Sequence, residues 1–161
     1  MCQDKVAHIG SGVNGTSVKI LIVEDQFLIA RQVEMIVSAA GHRVVGIASS
    51  LAEACRMGTA SGPDIAFVDL SLADGLTGAA VARFLIDECH ASVVYTTANL
   101  RRLPQDLSGA FGAVEKPFTK GGLLAALGYV VAVVRDGLCP DKVPRSLNLP
   151  SPGHGARGCV A

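Results

Sequence analysis

Glu24, Asp25, Asp69, Thr97 and Lys116 lie far apart in the chain, yet each stands at or just past the end of a short apolar run. Ile20-Leu21-Ile22-Val23 runs into Glu24-Asp25, and Ile65-Ala66-Phe67-Val68 into Asp69. Val93-Val94-Tyr95 runs into Thr96-Thr97, and Ala113-Val114 into Glu115-Lys116. Brought together, these carboxylates, hydroxyl and ammonium can hold a divalent cation and a phosphoryl group. Magnesium takes oxygen ligands in near-octahedral geometry, using one or two carboxylates beside water and phosphate oxygens. Asp25 and Asp69 are placed to ligate Mg2+ directly, and the longer arm of Glu24 reaches it through a water. Such a metal offsets the carboxylate repulsion and keeps Asp69 ionised as a nucleophile. A phosphoryl group moving onto Asp69 spreads charge over its equatorial oxygens, which the Lys116 cation and a threonine hydroxyl can stabilise.

Each residue alone has a plainer reading: Asp25 as a helix cap before Gln26, Asp69 as a loop residue, Lys116 as a solvated lysine. The elements that must position them argue for the joint reading. In a parallel sheet with helices on both faces, ligands bind outside the carboxyl ends of the strands, where all these residues fall. The apolar periodicity predicts strands at about 18–24, 43–48, 64–69, 92–97 and 111–115. Between them, helices are expected at about 26–40, ended by Gly41, and from Ser50, where Glu53 completes a capping-box pattern. A third helix runs through Val81, Phe84 and Leu85, and the last extends from Thr119 to about Arg135. Pro104 makes any helix between Asn99 and Gly109 short or kinked. Five strands alternating with five helices give an α/β, doubly wound parallel sheet.

The chain of 161 residues is half apolar and 17% charged, with fourteen basic and fourteen acidic residues. That balance supports one globular domain and argues against a strongly basic nucleic-acid-binding surface. The five cysteines form no CxxC pair and read as reduced thiols. The longest apolar run, Leu123 to Val134, is too short to span a bilayer, so no membrane contact and a cytoplasmic location are expected. Residues 1–17, rich in Gly, Ser and Asn, are expected to be a flexible leader, 18–136 the domain, and 137–161 a disordered tail without an output domain.

The acidic pair in Leu21-Ile22-Val23-Glu24-Asp25, the acceptor in Phe67-Val68-Asp69-Leu70, the hydroxyl in Tyr95-Thr96-Thr97-Ala98 and Lys116-Pro117-Phe118 together resemble the receiver domain of two-component response regulators. The resemblance covers Val18 to about Arg135. It implies a flavodoxin-like fold with strand order 2-1-3-4-5, phosphorylation of Asp69 by a sensor histidine kinase or phosphotransfer protein, and dependence on Mg2+. It also implies Ser71 as a backbone metal ligand beside Glu24, Asp25 and Asp69, and a cis bond before Pro117. Thr97 matches the switch hydroxyl, because Ala98 supplies the small residue that follows it. One departure is Ala113, where receivers usually carry Tyr or Phe. It makes residues 99–110 the expected element for phosphorylation to bias.

Gly10-Ser11-Gly12-Val13-Asn14-Gly15 has dinucleotide-fingerprint spacing but precedes the first strand, where that motif has no function. An aspartyl phosphotransferase acting on outside substrates would want a second acid two residues after Asp69, where Ser71 stands. The remaining rival is a pseudo-receiver that binds protein partners without taking phosphate.

Overall fold

The computed structural model describes residues 17–151. Its elements are β1 (Lys19–Val23), α1 (Phe27–Ala39), β2 (Arg43–Ala48), α2 (Leu51–Ser61), β3 (Ile65–Asp69), α3 (Gly78–Asp87), β4 (Ser92–Thr97), β5 (Gly112–Glu115) and α4 (Lys120–Val134). The strands form one parallel sheet in the order β2-β1-β3-β4-β5. Because strand side chains alternate, each strand feeds two cores. Leu21, Val23, Val68 and Tyr95 pack with α2 and α3, while Ile20, Ile22, Phe67 and Val114 pack with α1 and α4.

Local chemistry explains the boundaries. Ser50 accepts from the Glu53 amide at 3.4 Å to open α2. The Glu53 carboxylate does not close the expected box on Ser50. It takes the amide and hydroxyl of Ser49 instead, at 2.8 and 2.9 Å. Thr119 caps α4 by accepting from the Gly122 amide at 3.0 Å.

Three expectations are corrected. The fourth connection holds no α-helix: β4 reaches β5 through two single-turn 3-10 segments, Leu100–Arg102 and Leu107–Gly109. Pro104 interrupts the ladder, Asn99 and Asp106 cap their own turns, and Leu107 and Ser108 adopt φ of 50°. The tail is also ordered in part. After α4 the chain returns to the sheet edge, where Leu147 is buried and Asn148 pairs antiparallel with Ala113. The leader apart from Ser17, the Gly10–Gly15 spacing and residues 152–161 lie outside the described residues. Cys55 and Cys89 are free thiols, whereas Cys139 is disulfide-bonded, against the reading of every cysteine as reduced. No helix among the described residues is long and apolar enough to cross a membrane.

His42 ties the start of β1 to the turn before β2, its Nδ1 accepting from the Val18 amide at 3.4 Å. Burial, helped by the Arg135 cation, holds its pKa below the ordinary value of 6.5. The unfolded chain therefore binds a proton that the folded chain resists, and stability falls as pH drops below about 6.5. His42→Gln keeps an acceptor but no titration. Urea titrations at pH 7.5 and 5.5 should show a smaller loss for that variant than for the parent chain, and equal losses would remove His42 as a contributor.

Candidate functional site

The sheet brings the expected residues to one end. Glu24 follows β1, Asp69 ends β3 and Lys116 follows β5. Register alternation puts these three on the α1/α4 side of the sheet, as continuations of Ile22, Phe67 and Val114. Glu24 and Asp69 are buried and Asp25 is exposed. Asp25 does not cap α1: that position belongs to Gln26, whose amide donates to Glu24 Oε1 at 3.2 Å.

Lys116 Nζ donates to Glu24 Oε2 and to Asp69 Oδ2, the latter at 2.8 Å, so one ammonium bridges two buried carboxylates. Burial pushes the Glu24 carboxyl above its ordinary value, and the Lys116 ammonium pulls the other way. The Lys116 amide donates to the Thr97 carbonyl at 2.8 Å, which ties the end of β5 to β4, and the peptide to Pro117 is cis as expected.

One carboxylate oxygen from each of Glu24, Asp25 and Asp69 lies within 4.8 Å of the other two. Three carboxylates against one ammonium leave an excess of two negative charges. Hard oxygen donors with that excess fit a small divalent cation such as Mg2+. The loop after β3 is held close. Ser71 donates its amide to Asp69 Oδ1 at 3.2 Å. Ala73 N–H reaches the Ser49 carbonyl at 3.2 Å, and Asp74 accepts from the Leu51 amide at 3.0 Å. Asp74 thus caps α2 across the loop, a role that no sequence motif announces. The Thr77 hydroxyl and the Leu51 amide hold its carboxyl below the usual range.

Thr97 is buried at the end of β4, but its hydroxyl turns to Asn99, accepting that amide at 3.2 Å. Thr96, not Thr97, is the register partner of Asp69. Beside Ala113, its register partner Tyr95 fills the sheet interior, with burial pushing the phenol up to about 12.

Comparison with known proteins agrees with this geometry. The response regulator receiver domain matches residues 20–128. The phyllosphere-induced regulator PhyR of Methylorubrum extorquens is 31% identical over 115 residues, covering 70% of this chain and 43% of that protein. The crystal structure of a mutant of the anti-anti-sigma factor PhyR from Bartonella quintana is 31% identical, with a TM-score of 0.57 over 66% of this chain and 45% of that one. The chain therefore spans less than half the length of these PhyR proteins. For the fold alone, the receiver domain of a modulated diguanylate cyclase from Desulfovibrio desulfuricans G20 superposes with a TM-score of 0.66 at 24% identity, over 76% of this chain and all of that one. With the match over most of its length and the acidic cluster at the strand ends, the chain belongs to the response regulator receiver domain family.

Proposed function

We propose that this chain is a phosphoacceptor regulator of the cytoplasm. In this reading Asp69 takes a phosphoryl group from the phosphohistidine of a sensor histidine kinase or phosphotransfer protein and thereby changes how the domain binds a protein partner. The observation that carries it is the Lys116 ammonium at 2.8 Å from Asp69, inside a cluster of three carboxylates. An Asp69 carboxylate oxygen attacks phosphorus, the P–N bond breaks, and the departing imidazole keeps the electron pair and takes up a proton. Lys116 keeps Asp69 oriented and neutralises charge on the transferred oxygens. Glu24, Asp25, Asp69 and the Ser71 carbonyl would hold Mg2+, which supplies charge stabilisation to the phosphoryl oxygens. The Thr97 hydroxyl leaves Asn99 to bind the phosphoryl group, and residues 99–110 move with it. The regulatory output is protein binding rather than turnover of an outside substrate.

A second reading, a pseudo-receiver that binds its partner without phosphate, draws on two observations. The Thr97 hydroxyl is already engaged with Asn99, and Ala113 supplies no aromatic to follow it. Intact-protein mass separates the two. With acetyl phosphate and Mg2+, the chain gains one phosphoryl group, and neither Asp69→Asn nor the parent chain in EDTA gains any. No uptake from acetyl phosphate or from a phosphorylated histidine phosphotransfer domain would leave the second reading standing.

A further inference from the structure

Among the described residues, the Tyr95 hydroxyl is the one buried side-chain polar atom without a hydrogen-bond partner. Its ring is fully buried on the α2/α3 side, in the cluster that also holds Leu107 and Ala110 of the β4–β5 connection. A buried hydroxyl that has given up water and received nothing in return is costly. A candidate partner stands close by. Burial raises the Tyr95 phenol, the Ser108 side chain lowers it again and the Asp106 carboxylate raises it, so both residues lie beside the hydroxyl. Ser108 nevertheless completes no hydrogen bond with it.

The backbone at Ser108 is held in an unusual conformation. Leu107 and Ser108 both have φ of 50°, and Gly109 follows at 82°. The left-handed region is easy for glycine and strained for leucine and serine. Three bonds keep the turn there. The Leu107 amide donates to the Pro104 carbonyl at 2.9 Å, and the Ala110 amide to the Leu107 carbonyl at 2.9 Å. The Ser108 amide donates to Asp106 Oδ1 at 3.0 Å.

Two sets of interactions therefore compete for the same residues. The left-handed turn satisfies backbone amides and buries Leu107. A turn in which Ser108 relaxes to negative φ gives up part of that, sheds the strain and can satisfy Tyr95. Strained torsions of this kind persist only where the surroundings impose them, and they cluster at elements that switch.

We propose that the β4–β5 connection is a two-position latch, in whose second position Ser108 leaves the left-handed region and its hydroxyl bonds the Tyr95 hydroxyl. The other end of the connection is tied to the same strand face. Thr97 lies two residues beyond Tyr95 along β4, and its hydroxyl accepts from the Asn99 amide at 3.2 Å. The latch belongs to the unphosphorylated chain, and only its use as a signalling output rests on the role proposed above for Thr97.

Nitrogen-15 relaxation dispersion on the full-length chain, without phosphodonor or Mg2+, tests this. Residues 106–110 should show microsecond-to-millisecond exchange with a minor state. Tyr95→Phe keeps the ring and loses the hydroxyl, and Ser108→Ala keeps the strained turn and loses the hydroxyl. Each should cut the minor-state population by about fivefold to tenfold, the ratio that one net hydrogen bond sets. Ser108→Gly also relieves the observed turn and should abolish the exchange. A parent chain without exchange over 106–110, or exchange unchanged in Tyr95→Phe and Ser108→Ala, overturns the proposal. Urea unfolding of the two single variants and their double adds a second check. Hydroxyls apart in the major state should show no coupling, and clear coupling would mean a permanent bond and no latch. Phosphoryl uptake by Asp69 is read separately by mass, so the latch and the phosphoacceptor reading fail independently.

Discussion

Lys116→Met lowers the unfolding free energy by about 3 kcal/mol in EDTA and by clearly less in saturating Mg2+, as breaking a buried ion pair leaves its charge uncompensated. The Lys116 ammonium contacts two carboxylates whose side chains are 2% and 8% exposed. Methionine keeps most of the stem's packing and removes the charge, so the loss reads the electrostatics. Glu24 and Asp69 then face each other with Asp25 nearby and no cation among them. Neutralisation by proton uptake relieves part of the repulsion, which is why the loss stays near the lower end for such pairs. A divalent cation bound to the folded state restores stability in proportion to its affinity and concentration. Urea unfolding of both chains, each with EDTA and with Mg2+, gives the four numbers needed. The same loss with and without the metal would show that Lys116 acts through packing, and the charge argument for the site would fall.

How much of this could be read from the sequence differs by element. The strand ends were legible because a fully buried parallel strand is a continuous apolar run, and a carboxylate or lysine that breaks it marks where the sheet stops. Val23-Glu24, Val68-Asp69 and Val114-Glu115-Lys116 are such breaks. Strand order is not encoded in periodicity and rested on resemblance. The connection between β4 and β5 lacked a helical face, and Pro104 signalled the break, yet counting one helix per crossover still overstated it. The segment at the β5 edge was illegible for another reason. It pairs through backbone groups, and composition sees only Pro, Arg, Ser and Asn around two leucines. The small residues that receive it, Gly112 and Ala113, looked like a mere departure at Ala113.

The cluster's geometry depends equally on a contact that no motif announces. Gly78 opens α3, and its amide donates to the Leu70 carbonyl at 3.1 Å. A Cβ there would stand 2.2 Å from the Asp69 carbonyl oxygen and 2.5 Å from Leu70 Cα. Both obstacles are backbone, so no side chain can swing aside. Either α3 retreats from the sheet or the end of β3 shifts, and Val81, Ala82 and Leu85 lose packing in the first case. Gly78→Ala should therefore cost about 3 kcal/mol of stability, at the upper end for overpacking a dense interior. A displacement of Asp69 should also separate its carboxylate from Glu24 and Asp25 and weaken Mg2+ binding. Ala79→Gly is the matched control, because it changes the same turn without adding an atom. Urea unfolding reads the first effect, and Mg2+ titration by calorimetry at a temperature where both variants are folded reads the second. Lost stability with unchanged Mg2+ affinity would mean that α3 yields and β3 does not. The position of Asp69 would then be set by the sheet alone, with no contribution from the helix packed against it.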